Sequence, residues 1–181
     1  MADILIVIPA RLGATRLPGK PLADIAGTPM VVHVLRRAQA ANLGPVVVAT
    51  DAPEIRAVVQ KAGGRAVMTG SEHGSGSDRV FEALGKIDPE GRAGIVVNLQ
   101  ADLPTIASSD IAASLAPLSD ATVDIATLAA EISHAAERDD PNVVTTCRSL
   151  RLAHFGLRAS TTKRVVLCLA SATFFLRICN P

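Results

Sequence analysis

Short, almost wholly apolar runs of strand length recur through the first 128 residues, each followed by a stretch whose apolar residues fall at helical spacing. A run apolar on every side is buried on both faces, and this requires parallel strands joined by crossover helices above and below one sheet. Ile4 to Ile8 is the first such run. Met30, Val31, Val34, Leu35 and Ala38 share one helical face, and Asn42 to Gly44 supplies the stop. Val46 to Ala49 reads as a second strand, and Pro53 opens a helix with the stripe Ile55, Val58, Val59 and Ala62. Ala66 to Met68 is a third strand. A Gly and Ser loop, Gly70 to Ser77, then leads into a helix expected to turn Val80, Phe81, Leu84 and Ile87 inward. Ile95 to Leu99 is a fourth strand, Ser108 or Ser109 caps a helix carrying Ile111, Leu115 and Leu118, and Val123 to Leu128 begins a fifth strand.

Composition narrows the class. At 49% apolar and 19% charged residues, the chain of 181 residues has the make-up of one water-soluble α/β unit. No basic segment followed by an apolar block opens it, so secretion is not expected. The longest apolar stretch, Val165 to Leu176, falls short of the roughly 20 residues that cross a bilayer, so no membrane partner is expected. The net charge of +1 hides an asymmetry: residues 1–140 carry 12 Lys plus Arg against all 17 Asp plus Glu, a net of −5, while 141–181 carry six basic residues and no acid. All three cysteines, Cys147, Cys168 and Cys179, fall in that last stretch, in no spacing suited to zinc or to a disulfide framework. A nucleic-acid partner is disfavoured too, because four Phe with no Tyr or Trp leave little to stack bases on.

Ligands of an open α/β sheet gather beyond the carboxyl ends of its strands. After the first run lies Pro9 to Pro21, 13 residues holding Arg11, Arg16, Lys20 and two glycines. Forked guanidinium donors and a lysine point charge suit a polyphosphate. The loop is not a Walker A motif, since Ala14 and Pro21 occupy the required Gly and Ser/Thr positions. Nor is it a dinucleotide fingerprint, since Pro9-Ala10-Arg11 is no Gly-x-Gly turn. A solvated basic turn accounts for the same composition. Asp102 follows the fourth strand and precedes Pro104; a carboxylate there could hold Mg²⁺ against phosphates, or simply shape a turn. Asp51 is open between helix cap and ligand contact, and His33, inside a helix, is set aside as a catalytic group.

Five segments together carry a resemblance. Ile8-Pro9-Ala10-Arg11, Thr15-Arg16-Leu17-Pro18-Gly19-Lys20-Pro21-Leu22, Val48-Ala49-Thr50-Asp51, His73-Gly74-Ser75-Gly76-Ser77-Asp78-Arg79 and Asn98-Leu99-Gln100-Ala101-Asp102-Leu103-Pro104, in this order, resemble the 3-deoxy-manno-octulosonate cytidylyltransferases. The resemblance implies a glycosyltransferase-A-like fold, that of the nucleotide-diphospho-sugar transferases, with a mostly parallel sheet and helices on both faces. It also implies a cytoplasmic enzyme of lipopolysaccharide biosynthesis that joins CTP to the sugar acid and releases pyrophosphate. By the same resemblance Arg11, Arg16 and Lys20 match triphosphate-binding cations and Asp102 matches a Mg²⁺ ligand, with Arg11, Lys20 and Asp102 at the reacting phosphate. Ser75, Ser77, Arg79 and Gln100 match residues near the cytosine and ribose, and His73 belongs to the same loop.

The resemblance stops near residue 144. Ala14 stands where many relatives have a hydroxyl, and Ala101 replaces the glycine of the usual Gln-Gly-Asp turn, where positive φ or close approach would favour glycine. Family members run to roughly 250 residues, one α/β domain, whose later half supplies the sugar pocket and the contacts of a homodimer. The expectation is therefore a nucleotide-binding unit at 1–144 and an unrelated tail at 145–181, as a frameshift or truncation would leave. Three outcomes stay open: an active cytidylyltransferase, a remnant that binds nucleotide weakly or not at all, and a relative using another acidic sugar or nucleotide. Whether Val165 to Leu169 or Thr173 to Ile178 adds a strand is undecided from sequence.

Overall fold

The computed structural model describes residues 3–13 and 18–128, together with the backbone of 164–168. Its main sheet contains β1 (Asp3–Ala10), β4 (Val46–Thr50), β5 (Arg65–Met68), β6 (Ala93–Leu99), β7 (Ile125–Thr127) and β8 (Arg164–Cys168). A separate two-stranded hairpin is made by β2 (Asp24–Ile25) and β3 (Thr28–Pro29). The helices between them are α1 (Met30–Ala40), α2 (Pro53–Lys61), α3 (Gly76–Ile87) and α4 (Ser108–Ala113). Strand order is β5-β4-β1-β6-β8-β7, and every pairing in this sheet is parallel.

Period-two alternation divides the core between the two faces of the sheet. Ile6 and Ile8 of β1, Val46 and Val48 of β4, and Val97 and Leu99 of β6 pack with Val31, Val34 and Leu35 of α1, Ile55 and Val59 of α2, and Ile111 of α4. Their neighbours Leu5, Val7, Val47, Ala49 and Val96 face the other way, against Val80 and Ala83 of α3. Helices therefore cover both faces, as the continuous apolar runs require.

Two expectations need correction. Phe81 does not face inward: it is 77% exposed, because α3 turns Arg79, Val80 and Ala83 to the sheet and a residue one step beyond that face points to solvent. Neither serine caps α4. The helix starts at Ser108 behind Ala107, and the Ser108 hydroxyl donates instead to the Arg37 carbonyl at 3.1 Å.

Two features were not read from the sequence. The hairpin β2–β3 turns on Ala26 (φ 51°) and Gly27 (φ 81°), and His33 of α1 donates from Nε2 to the Ile25 carbonyl at 2.9 Å, tying it down. The question left open at Val165 to Leu169 is answered by β8, which pairs with β6 on one side and β7 on the other. Thr173 to Ile178 lies outside the described residues. Among the described residues no helix is long and apolar enough to cross a membrane.

Candidate active site

The chain runs from β1 outward through β4 to β5, then returns to place β6 on the opposite side of β1. The carboxyl end of β1 is therefore a topological switch point, where the connections diverge and leave a crevice. A cleft of about 160 Å³ opens there. Pro9, Ala10 and Arg11 from the end of β1 form one wall, Ser75, Gly76 and Arg79 from the start of α3 another, and Gln100 after β6 the third.

The start of α3 is locally encoded. Ser75 takes an extended conformation; its hydroxyl accepts from Asp78 N at 3.1 Å, and the Asp78 carboxylate accepts from Ser75 N at 3.0 Å, a complete capping box. The Ser75 hydroxyl also donates to Asp78 Oδ2 at 2.7 Å, so its proton is used within the cap. Gly76 follows with its backbone against the cleft floor. A Cβ added there would lie 3.3 Å from Pro9 and 3.6 Å from the Gln100 carboxamide. The first residues of this helix line the crevice, and the positive end of a helix dipole is a favourable setting for anionic groups.

Behind the cleft, Arg79 is 1% exposed. Its guanidinium donates to Asp51 Oδ2 at 3.0 Å, to the Thr69 hydroxyl at 2.5 Å and to the Gly70 carbonyl at 3.1 Å. One arginine thus ties together the ends of β4 and β5 and the first turn of α3. Asp51 is accordingly no helix cap: α2 begins behind Ala52, and the Asp51 carboxylate belongs to Arg79. His73 pairs with Glu82, which also accepts from Gly70 N at 2.8 Å and bridges Lys86 at 2.6 Å. Lys86, His73 and the Gly70 amide hold the Glu82 carboxyl down from 4.5 to about 2. That network fastens the 70–75 loop to α3.

Lys20 and Asp102 meet from opposite sides of the switch point. Gly19, at φ 72°, closes the loop by donating to the Leu12 carbonyl at 3.0 Å and leads into a single 3₁₀ turn, Lys20–Leu22. A residue with a Cβ would resist that left-handed step. The turn brings Lys20 Nζ to 2.7 Å from Asp102 Oδ2, with both side chains about one third exposed (37% and 34%). Arg11 stands on the cleft wall, while Arg16 and Ala14 lie outside the described residues. Ala101 takes no positive φ, which occurs among the described non-glycine residues at Ala26 and Asn42, and it is buried against the core.

Sequence reasoning did not single out Asn98, which is 1% exposed within β6. Its Nδ2 donates to the Ser77 hydroxyl at 3.4 Å and its Oδ1 accepts from Gln100 Nε2 at 3.1 Å. The available signal was a carboxamide inside an otherwise apolar, doubly buried strand, which has to find partners.

The chain matches the family model described as cytidylyltransferase over residues 5–163. The chain belongs to the cytidylyltransferase family. Among its relatives, the 3-deoxy-manno-octulosonate cytidylyltransferase of Methylobacterium nodulans is 65% identical over 144 residues, 80% of this chain and 58% of the relative. That of Rhodopseudomonas palustris is 65% identical over 140 residues, 77% of this chain and 57% of the relative. This cytidylyltransferase chain therefore spans somewhat more than half the length of the curated relatives it matches. A solved CMP:2-keto-3-deoxy-manno-octonic acid synthetase complexed with CTP aligns with a TM-score of 0.64 at 43% identity, covering 69% of this chain and 52% of that one. A 4-diphosphocytidyl-2C-methyl-D-erythritol synthase from Anaerococcus prevotii, at 14% identity and TM-score 0.53, shares the fold. The architecture is the glycosyltransferase-A-like one of nucleotidyltransferases.

Proposed function

We propose that this chain is a 3-deoxy-manno-octulosonate cytidylyltransferase, taking CTP into the cleft at the β1 switch point and transferring CMP to the sugar acid with release of pyrophosphate. The observation that carries the reading is the 2.7 Å pairing of Lys20 with Asp102 across the switch point, beside a cleft walled by Arg11 and the start of α3. Cation and carboxylate together suit a metal-bound polyphosphate: the ammonium would contact phosphate oxygens, and the carboxylate would be released to a metal ion. Among the described residues no group of three or more His, Cys, Asp or Glu could hold a metal. Asp102 as one protein carboxylate fits Mg²⁺, which commonly takes one or two carboxylates and fills its shell with phosphate and water. Bound there, Mg²⁺ would supply charge neutralisation at the α-phosphate.

The rest of the chemistry is positioning. Lys20, Arg11 and Arg16 would neutralise the β- and γ-phosphates, favouring their departure as pyrophosphate. The anomeric hydroxyl oxygen of the sugar acid attacks the α-phosphorus; the bond from that phosphorus to the bridging oxygen breaks, and the hydroxyl proton leaves to solvent. Ser75, Ser77, Arg79 and Gln100 would frame the base and ribose, with Ser75 and Arg79 acting through the helix cap and the Asp51 pair they already make. The reading places the chain in the cytoplasm, in lipopolysaccharide biosynthesis. The second reading is a non-catalytic remnant that binds nucleotide weakly or not at all; the chain spans 57–58% of the relatives' length.

One assay separates them. Purified chain incubated with CTP, Mg²⁺ and 3-deoxy-manno-octulosonate should release pyrophosphate only when all three are present. No release, with CTP still raising the unfolding temperature, supports the remnant. Absence of both release and protection refutes the cytidylyltransferase reading and marks a remnant that binds no nucleotide.

A further inference from the structure

Mg²⁺ sheds its water reluctantly and is held by one or two carboxylates together with substrate phosphates, so a lone carboxylate is a weak site for the free ion. A weak site is decided by the charge already standing on it.

Asp102 does not stand alone, because Lys20 Nζ lies 2.7 Å from its Oδ2. Both ends of the pair are anchored through the backbone. Gly19 N donates to the Leu12 carbonyl at 3.0 Å, Leu22 N to the Gly19 carbonyl at 2.8 Å and Ala23 N to the Lys20 carbonyl at 3.1 Å, with Pro21 buried in the turn. On the other side, Ala101 is buried in the core and the Leu103 carbonyl accepts from Ile106 N at 3.3 Å. The backbone is therefore held on both sides, and the pair opens by rotation of the side chains, chiefly the long lysine stem. A carboxylate has further lone pairs to offer. A divalent ion on Oδ1 would still stand within a few ångströms of the ammonium and be repelled by it.

Side-chain exposures of 37% and 34% make this a pair that solvent screens, worth a factor of roughly five at most in an equilibrium. That is enough to turn away a weakly held free ion. It is too little to resist a polyphosphate, whose several negative charges draw the ammonium away. We propose that the Lys20–Asp102 pair is a lock on the metal position: it withholds Asp102 from free divalent cations and opens when a polyphosphate takes the lysine, so that metal is accepted together with nucleotide. The lock rests on the reading of this cleft as a nucleotide site, and adds to it the order in which its ligands are taken. By linkage, nucleotide and metal each raise the affinity of the other by the same factor.

The test uses Mn²⁺ as the probe, counted by the electron paramagnetic resonance signal of the free ion, on the full chain without nucleotide. Wild type and Asp102→Asn should bind it alike, since the carboxylate is already taken. Lys20→Met should tighten binding by roughly fivefold, the worth of an exposed pair. Lys20→Arg keeps a cation in place and should stay at the wild-type value, and Lys20→Met combined with Asp102→Asn should lose the gain. Should Lys20→Met not fold, Lys20→Gln takes its place. A second arm titrates CTP into wild type by calorimetry, with Mg²⁺ and with a chelator, and Mg²⁺ should tighten binding at least fivefold. Four results overturn the lock alone: Mn²⁺ bound several-fold more tightly by wild type than by Asp102→Asn, no gain in Lys20→Met, a gain that persists in the double variant, or CTP bound equally with and without Mg²⁺. A wild-type chain that binds no CTP overturns the nucleotide reading and the lock with it.

Discussion

Removing the Asp51 carboxylate should cost more stability than any comparable change at the protein surface. The Arg79 side chain is 2% exposed, and among the described residues Asp51 is the one negative charge its guanidinium pairs with. Asp51→Ala strands a buried cation on two neutral acceptors, the Thr69 hydroxyl and the Gly70 carbonyl. Breaking such a pair from one side costs roughly 3–5 kcal/mol where both partners are dry. Asp51 is 20% exposed, so water can enter its vacated place, and we expect about 3 kcal/mol, a large part of a typical domain's 5–15 kcal/mol. The chain has no Trp or Tyr, so urea unfolding must be followed by far-ultraviolet circular dichroism rather than intrinsic fluorescence. The double variant Asp51→Ala with Arg79→Met removes the stranded charge along with its partner. It should be more stable than the sum of the two single changes predicts, with a coupling of about 2 kcal/mol. A cost for Asp51→Ala below about 1 kcal/mol, or strict additivity in the double variant, would refute the view that this pair clamps β4, β5 and α3 together.

The exposed pair should behave oppositely. Lys20→Ala removes a bridge whose partners are each about one third exposed, so stability should change by less than about 1 kcal/mol, while CTP affinity measured by calorimetry falls at least tenfold. Glu82 sets an acid limit. Its folded value of about 2 lies below the ordinary 4.5, so its contribution is complete above pH 4.5 and disappears as pH falls through 2. The stability difference between wild type and Glu82→Gln, from urea titrations at several pH values, should therefore be largest near neutrality and shrink steadily below pH 4.5. Ala26 sits at φ 51° in the β2–β3 turn, where asparagine is better tolerated; Ala26→Asn should raise stability by about 1 kcal/mol in the same denaturation assay.

Local chemistry wrote much of this molecule openly. The runs at Ile4 to Ile8, Val46 to Ala49 and Ile95 to Leu99 could be satisfied only by strands covered on both faces, and the structure places them side by side in one parallel sheet. Ser75 and Asp78 carry the start of α3 in four residues, and Gly19 supplies the left-handed step that a turn into Lys20 needs. Such features depend on neighbours within a few positions, so periodicity and side-chain chemistry suffice to find them.

What required the assembled fold is everything that joins distant segments. Lys20 reaches Asp102 over 82 positions and Arg79 reaches Asp51 over 28, and no local pattern states which loop end faces which. The side of β1 on which β6 pairs decides where the crevice opens. Phe81 faces solvent because the sheet selects Arg79, Val80 and Ala83 as the inner stripe of α3, a choice the apolar spacing alone does not make. Asn98 gains its meaning only when α3 brings Ser77 above it. Strand identity follows from apolar content along the chain, whereas a site follows from the order in which strands pair, and that order is fixed by packing energies summed over the whole sheet.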